Sequence, residues 1–438
     1  MRYILSAIFI LASITNLSAQ KTLSLKECLE VGLQNNYDLL IVRNEQKIAD
    51  NNATLANAGM LPTLDLSAGY SGSAKQTQVK PLAGESYTEG GAYDQAVDVG
   101  VSLGWTVFNG FKMQTNYKKL QELKTLGALR TRLEVEDFVA NMTSEYYNLI
   151  QQTLRLKNYR YAVALSRERL RITEARYRIG DFSRLDLLQA RVDFNADSSK
   201  YMSQQELVTA SRIRINELMA NKEVTEQCFA RDSVIDVNEN LQLDRLEASM
   251  NELNSEMLIA ARNTNISELE LKAVKSRNYP YLNLSAGYGY ARNIYADNDP
   301  RARGTLGPNV AFKLGFTIFD GNRRREQRNA RIEVENAQYT EEQLQQSLNA
   351  DLATFWQAYT NNLEVVKLEQ QNLIAAKENY EIAMERYLLG DLPGIEMREA
   401  QKSLLDAEER ILTAEYNTKL CEISLMQISG NILEYLNE

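Results

Sequence analysis

Residues 61–70 read LPTLDLSAGY, and residues 279–288 return the same pattern as YPYLNLSAGY. Two further segments recur in the same order: LGWTVFNG at 103–110 returns as LGFTIFDG at 314–321, and RYRIGD at 176–181 returns as RYLLGD at 386–391. Three repeats in one order, at a nearly constant offset, indicate a tandem duplication with a period of about two hundred residues.

Each repeat predicts the same elements: a helix, two strands and a long helical hairpin. The first repeat is expected to cover residues 20–230 and the second residues 231–438. Strands are expected at about 62–75 and 95–108 in the first repeat, and at about 280–292 and 308–319 in the second. The hairpin tips are expected near residues 180 and 390.

The predicted strands alternate apolar and polar residues, as in Leu64, Leu66 and Tyr70 against Asp65 and Ser67. Period-two alternation means that one face of a sheet meets an apolar medium and the other a polar one. The apolar medium is either the core of a soluble domain or membrane lipid. A length of about ten residues fits a tilted membrane crossing. Aromatic residues near the strand ends fit a membrane interface.

Four strands are too few to close a membrane barrel. An open edge in lipid leaves unpaired backbone groups, each costing several kcal/mol. If the strands lie in a membrane, several chains must therefore share one barrel.

The predicted helices are longer than those of an ordinary globular domain. From about Lys112 to Ile179 no proline interrupts the chain, and apolar residues recur at spacings of three and four. Such a seam is typical of coiled-coil-like packing, and a helix of this length runs on the order of 100 Å. Gly180 and Gly390 are expected to end the two long helices and mark the hairpin tips.

The first 19 residues predict a cleaved export signal. Arg2 precedes a mostly apolar segment from Tyr3 to Ile14, and Leu17-Ser18-Ala19 offers a cleavage site before Gln20. The rest of the chain holds no apolar run long enough for a membrane-spanning helix.

The composition argues against catalysis and against nucleic-acid binding. The chain has no histidine, three widely separated cysteines and a net charge of −9, and no basic patch with interleaved aromatic residues stands out. No nucleophile, phosphate-loop or dinucleotide motif occurs. The sequence therefore predicts no enzyme activity, no cofactor and no metal site.

With these motifs in place, the sequence resembles the TolC-like outer-membrane efflux family. The chain opens with LSLKECL at residues 23–29, followed by Asn35-Asn36 and Leu39, which is similar to the family's start except that Cys28 replaces an alanine. The Leu-Pro-x-Leu-x-Leu-Ser strand entry, the Phe-Asn/Asp-Gly strand exit and the Arg-Tyr-x-x-Gly tip also match, each of them twice.

The resemblance implies a mainly α-helical protomer with a membrane β-barrel portion. Three such chains would complete a twelve-stranded barrel in the outer-membrane lipid, continued by an α-helical tunnel into the periplasm. The implied partners are two further copies of the chain, a periplasmic adaptor protein and an inner-membrane transporter.

The resemblance also assigns roles at the hairpin tips. Glu396 and Glu399 would form an acidic pore constriction, whereas Asp186, Tyr177 and Tyr387 would take part in holding the tip closed. The alternatives are that the acids favour the positive end of a helix and that the tyrosines are seam packing residues. Where the family can carry an arginine two residues after the second glycine, this chain has Leu392, so the latch is absent or built differently.

The predicted function is that of an outer-membrane channel in a tripartite efflux or export system. Two alternatives stay open. The first is that the chain is the outer-membrane duct of a type I protein-secretion system, with the same fold. The second is that it is a periplasmic coiled-coil scaffold without a pore.

Overall fold

The computed structural model describes residues 21–295 and 300–436. The predicted export signal at residues 1–19 lies outside these residues. The helices in order are α1 (Leu25–Asn35), α2 (Tyr37–Asn52), α3 (Lys112–Arg178), α4 (Arg184–Leu218), α5 (Leu243–Leu253), α6 (Ser255–Lys275), α7 (Arg323–Leu389) and α8 (Gly394–Ile428). The strands are β1 (Lys21–Leu23), β2 (Thr63–Val79), β3 (Tyr87–Asn109), β4 (Cys228–Ala230), β5 (Tyr281–Ile294) and β6 (Ala302–Gly315).

The two repeats have closely matched helical hairpins. Helices α3 and α7 are each 67 residues long, and helices α4 and α8 are each 35 residues long. These equal lengths support the proposed duplication. The compact units nevertheless cut across the repeats, because each unit takes elements from both.

The first compact unit comprises residues 21–44, 129–258 and 343–436 of the described chain. It is helical apart from the short parallel pair β1–β4. Ser24 is the N-cap of helix α1: its hydroxyl oxygen accepts a hydrogen bond from the Glu27 amide, while the Glu27 carboxylate accepts one from the Ser24 amide. This reciprocal cap satisfies two amides that a helix start otherwise leaves without partners. The apolar seam residues of α3 and α8 fill separate cores along the bundle.

The second compact unit comprises residues 45–128 and 259–342. Its centre is an antiparallel sheet in the order β2-β3-β5-β6, so that β2 and β6 are the edge strands. The sequence predicts apolar side chains on one face of this sheet, and these side chains are exposed: Leu66, Phe312 and Leu314 are each more than two-thirds exposed. This sheet therefore has an apolar surface that no other described part of the chain covers.

The strand bounds differ from the sequence expectation at the ends of both hairpins. The β2–β3 hairpin runs on to Val79 and Tyr87, through a stretch whose side chains do not alternate in polarity. Strand β6 starts earlier than expected and ends at Gly315, because Tyr281, its partner there, is the first residue of β5. The alternation continues through Phe316 and Ile318, but that segment has no strand to pair with.

The repeated Phe-Asn/Asp-Gly motif adopts two different conformations. Gly110 has a φ of +66°, and a Cβ atom at this position would lie 2.1 Å from the Ser276 carbonyl oxygen. Only glycine satisfies both conditions. Its counterpart Gly321 has no positive φ and no close neighbour, so the second copy of the motif lacks this constraint.

Among residues 21–295 and 300–436, no helix combines the length and the apolar character needed to cross a membrane.

Candidate functional site

The two hairpin tips turn by the same backbone device. Gly180 and Gly390 have φ values of +85° and +89°. At each tip the glycine amide donates to the tyrosine carbonyl three residues earlier, and the following aspartate amide donates to the arginine carbonyl five residues earlier, at 2.9–3.2 Å. This pair of bonds ends a helix on a left-handed residue, a position that glycine occupies without steric cost. Both predicted tip glycines therefore lie where the chain reverses.

The first tip starts its return helix with a polar cap. The Asp186 amide donates to Ser183 Oγ at 3.2 Å, and the Ser183 amide donates to Asp186 Oδ2 at 3.0 Å. The Ser183 hydroxyl donates to the same carboxylate oxygen at 2.6 Å. These hydrogen bonds, the one from the Ser183 hydroxyl foremost, hold the pKa of Asp186 below its usual range. The carboxylate of Asp186 is thus engaged in a local cap.

The second tip lacks this cap. Pro393 occupies the N-cap position of α8 and offers no side-chain hydrogen bond. Glu396 takes the place that Asp186 has in the first tip, and Glu399 lies one turn further along. Both side chains are exposed, and neither forms a hydrogen bond or ion pair with other residues that the structure describes. The two glutamates are therefore not committed to a local contact.

The two predicted tyrosines have different environments. Tyr387 is 1% exposed, and its hydroxyl lies 3.2 Å from the Thr173 Oγ1 atom of α3. It belongs to an apolar cluster that includes Leu392 and Met397. Tyr177, at the same place in the first repeat, is 39% exposed. Leu392 thus packs in the apolar core of the second tip.

Arg176 connects the two tips, a role that sequence reasoning missed. Its guanidinium donates to the carbonyls of Tyr387 and Leu388 at 3.4 and 3.2 Å, in the last turn of α7. It also lies 5.1 Å from the centre of the Phe182 ring and 5.8 Å from that of Tyr387. A cation at a helix C-terminus is stabilised by the exposed carbonyls and the helix dipole. The equivalent Arg386 instead donates a hydrogen bond within its own tip, to the carbonyl of Asp391.

A second missed feature is a buried charge network between three helices. Arg398 of α8 forms two hydrogen bonds of 2.8 Å with Asp197 of α4, and Arg169 of α3 pairs with Asp193 of α4. Burial opposes the charge on Arg398, but its bonds to Asp197 outweigh that cost and raise its pKa. Burial lowers the pKa of Arg169. Arg398 stands between Glu396 and Glu399 in sequence and fixes the start of α8 against α4.

A cavity of about 320 Å³ separates the two tips. Asp186 and Tyr387 both line it, together with Arg169, Asp193 and apolar side chains that include Phe182 and Ile395. The structure therefore brings Asp186 and Tyr387 to one cavity. It leaves Tyr177, Glu396 and Glu399 outside the lining. No group of three or more acidic or cysteine side chains in the described ranges is arranged to hold a metal ion.

Comparison with known proteins gives one consistent result. The outer membrane efflux protein family matches residues 29–221 and 250–431. The chain is 22% identical to the outer membrane protein TolC of Vibrio cholerae, over 94% of this chain and 91% of that protein.

Solved structures of outer-membrane channels share the fold. The outer-membrane channel OprN superposes with a TM-score of 0.77 at 18% identity, covering 93% of this chain and 90% of OprN. The CmeC outer membrane channel of Campylobacter jejuni gives a TM-score of 0.78 at 16% identity, covering 93% of this chain and 85% of CmeC.

Proposed function

The chain belongs to the outer membrane efflux protein family, and from that membership we propose that it is the outer-membrane channel of a tripartite export system. It is a transport protein of the outer membrane with a periplasmic portion, and not an enzyme. In the proposed system an inner-membrane transporter supplies the energy, and a periplasmic adaptor protein joins that transporter to the hairpin tips.

The observation that carries the proposal is the four-stranded sheet. Its apolar face is exposed, and its edge strands β2 and β6 have no partner elsewhere in the described chain. In lipid, each unpaired backbone group of such an edge costs several kcal/mol. Pairing β2 of one copy with β6 of the next removes both edges, and three copies give a closed barrel of twelve strands. The strand count alone also permits a dimer or a tetramer, so the proposed homotrimer rests on the family membership.

The proposed gate lies at the hairpin tips. Glu396 and Glu399 are exposed and uncommitted, so three copies brought around an axis would present six carboxylates to a narrow opening. Such a ring attracts cations and repels anions. Asp186, Tyr177 and Tyr387 are the proposed gating residues, and Gly180 and Gly390 are the turns on which the tips bend.

Replacing both glutamates with glutamine tests the constriction. We expect Glu396→Gln with Glu399→Gln to lower the preference for cations over anions in planar-bilayer recordings, because the ring loses its charge while keeping its shape. The recordings are made at about 0.1 M salt or below, where the screening length is about 10 Å. A matched control is Glu378→Gln with Glu381→Gln, an exposed pair at the same spacing on α7.

The outcomes separate the alternatives. Wild-type cation preference in the Glu396/Glu399 variant would show that these acids only favour the positive end of α8, whereas the duct itself would stand. A purified assembly that never conducts would favour the periplasmic scaffold without a pore. Cross-linking in cells, followed by identification of the captured transporter, separates small-molecule or metal efflux from type I protein secretion.

A further inference from the structure

Positive charge is concentrated at the start of α7, just beyond the end of strand β6 in the second compact unit. Residues 321–331 read GNRRREQRNAR, with a single acid, Glu326, although the whole chain carries a net charge of −9. Glu326 is paired with Arg277. Four of these arginines are exposed, and none of the four forms an ion pair with another described residue: Arg324, Arg325, Arg328 and Arg331. These four are called the arginine cluster below.

The arginine cluster begins where a helix least favours cations. Arg323, Arg324 and Arg325 occupy the first turn of α7, at the positive end of the helix dipole. A cation there costs stability, typically a few tenths of a kcal/mol at an exposed position. Three in succession add to this cost, and the one acid of the same turn, Glu326, is paired with Arg277.

The start of α7 lies directly against the end of the sheet. The Arg323 guanidinium donates to the carbonyls of Thr317 and Ile318 at 3.2 and 3.4 Å, just beyond β6. It also donates to the carbonyl of Arg277 at 3.2 Å. Arg323 and Arg277 thereby hold the helix start under the strand ends.

A cavity of about 250 Å³ opens at the same place. Three cationic side chains line it, namely Lys112, Arg277 and Arg323, against the single carboxylate of Asp320. Tyr279 and Tyr281 complete one wall, and Tyr281 is the first residue of β5. Lys112 forms no ion pair with the residues described, so the cavity keeps an excess of positive charge.

Exposed aromatic and apolar side chains border this cavity. Phe111 packs edge-on against Phe108 and Tyr279, with ring centres 5.1 and 6.0 Å apart, and stays 56% exposed. Ile318 and Phe319 are each 86% exposed. Aromatic side chains at the end of an apolar sheet face, followed by cations, match the order of acyl chain, interface and headgroup in a bilayer.

We propose that this end of the sheet, with the start of α7, binds the phosphate headgroups of anionic phospholipids in the periplasmic leaflet of the outer membrane. The cavity lined by Lys112, Arg277 and Arg323 holds one headgroup phosphate, and the arginine cluster attracts further headgroups around it. The proposal rests on the sheet being the membrane segment, but not on conduction through the assembly.

The test is lipid retention by the full-length protein extracted in non-ionic detergent. Phosphatidylglycerol and phosphatidylcholine that remain after extensive washing are quantified by mass spectrometry. We expect wild type to retain phosphatidylglycerol selectively, and less of it as salt rises. The test variant is Lys112→Gln with Arg324→Gln, Arg325→Gln and Arg328→Gln. Arg277 and Arg323 are left intact because they hold the backbone.

One cation near an anionic surface contributes about five-fold, so the loss of four should weaken phosphatidylglycerol binding at least about ten-fold, and several hundred-fold if the four contributions multiply. The matched control removes four exposed, unpaired cations from the first compact unit, where retention should match wild type: Lys157→Gln, Arg160→Gln, Lys200→Gln and Lys222→Gln. Should the quadruple variant fail to assemble, Lys112→Gln alone is expected to weaken retention about five-fold.

Four results would overturn the proposal. One is unchanged retention in a well-assembled test variant, and another is an equal loss in the control variant. A third is retained lipid with an altered anion preference in bilayer recordings, which would place the arginines in the water-filled lumen. The fourth is displacement of the lipid by inorganic phosphate well beyond the effect of chloride at equal ionic strength, which would indicate a site for the free anion. Wild-type protein that retains phosphatidylglycerol selectively but does not conduct would instead count against the proposed channel.

Discussion

At the scale of single residues, the ion pair of Arg398 with Asp197 fixes the part of α8 that carries Glu396 and Glu399. Asp197 is 2% exposed, and both of its oxygens accept hydrogen bonds from Arg398. A carboxylate buried this deeply depends on its partner, because breaking a buried ion pair leaves an uncompensated charge.

We expect Arg398→Leu to destabilise the hairpin bundle by about 3 kcal/mol, since Asp197 is left charged and unpaired. The double variant with Asp197→Leu should recover most of that loss, because leucines leave no buried charge behind. Circular dichroism melting in detergent measures both. The control Arg171→Leu breaks the exposed pair with Glu168 and should change the melting temperature little. If the double variant is as unstable as the single one, the charge pairing is not the cause.

At the scale of elements, the two return helices α4 and α8 begin differently although their repeats share a sequence pattern. Helix α4 has the reciprocal cap of Ser183 and Asp186, whereas the N-cap residue of α8, Pro393, offers no side-chain hydrogen bond. The two tips are therefore anchored differently: the first by a local cap, and the second by its buried core and by the bonds of Arg398 to Asp197.

This cap predicts a pH dependence at the first tip. The pKa of Asp186 is lower in the folded than in the unfolded state. Its stabilising effect is therefore complete above the unfolded pKa, about 3.9, and is lost as the pH falls through the folded pKa. Asp186→Asn should cost about 0.3–1 kcal/mol at neutral pH and nothing at strongly acidic pH.

Hydrogen exchange of the amides of residues 183–188, compared between variant and wild type at each pH, measures this difference. The control is Ser183→Ala, which removes the cap itself and should speed exchange at both pH values. An Asp186→Asn effect that is equally large at acidic pH would contradict the assignment.

Elements with a strong local signal could be predicted from the sequence. The tip glycines, the long helices and the inner halves of all four strands follow from helical periodicity, period-two alternation and turn residues. The outer part of the β2–β3 hairpin could not be predicted, since its polarity does not alternate. The segment at Phe316 was predicted as strand because it alternates, but a strand also needs a partner.

Contacts between the two hairpins could not be predicted from the sequence. Arg176 with Leu388, and Arg398 with Asp197, join residues about two hundred positions apart. No local pattern fixes how helices so distant in the chain face each other, so these bonds had no signal in one sequence. The roles of Glu396 and Glu399 remain predictions that only the recordings test.

At the scale of the whole molecule, the open sheet predicts an obligate assembly. Since a single chain leaves the edges of β2 and β6 unpaired, the protein in mild detergent should be an oligomer. For the homotrimer proposed from the family, its mass should be that of three chains. Light scattering or native mass spectrometry measures this mass, with a heat-denatured sample as the single-chain reference. A stable single chain that keeps its full β-sheet circular dichroism would falsify the shared barrel.

The strand order also determines when the sheet can form during folding. Strands β2 and β3 are close in sequence, as are β5 and β6, but Asn109 and Tyr281, which pair where β3 meets β5, are separated by roughly 170 residues. Closing a loop of that length costs about 3 kcal/mol more chain entropy than closing a tight hairpin. The two hairpins should therefore form quickly and their docking should be slow. A chain still being exported holds at most one hairpin until β5 emerges, so its apolar strands need protection from aggregation during that interval.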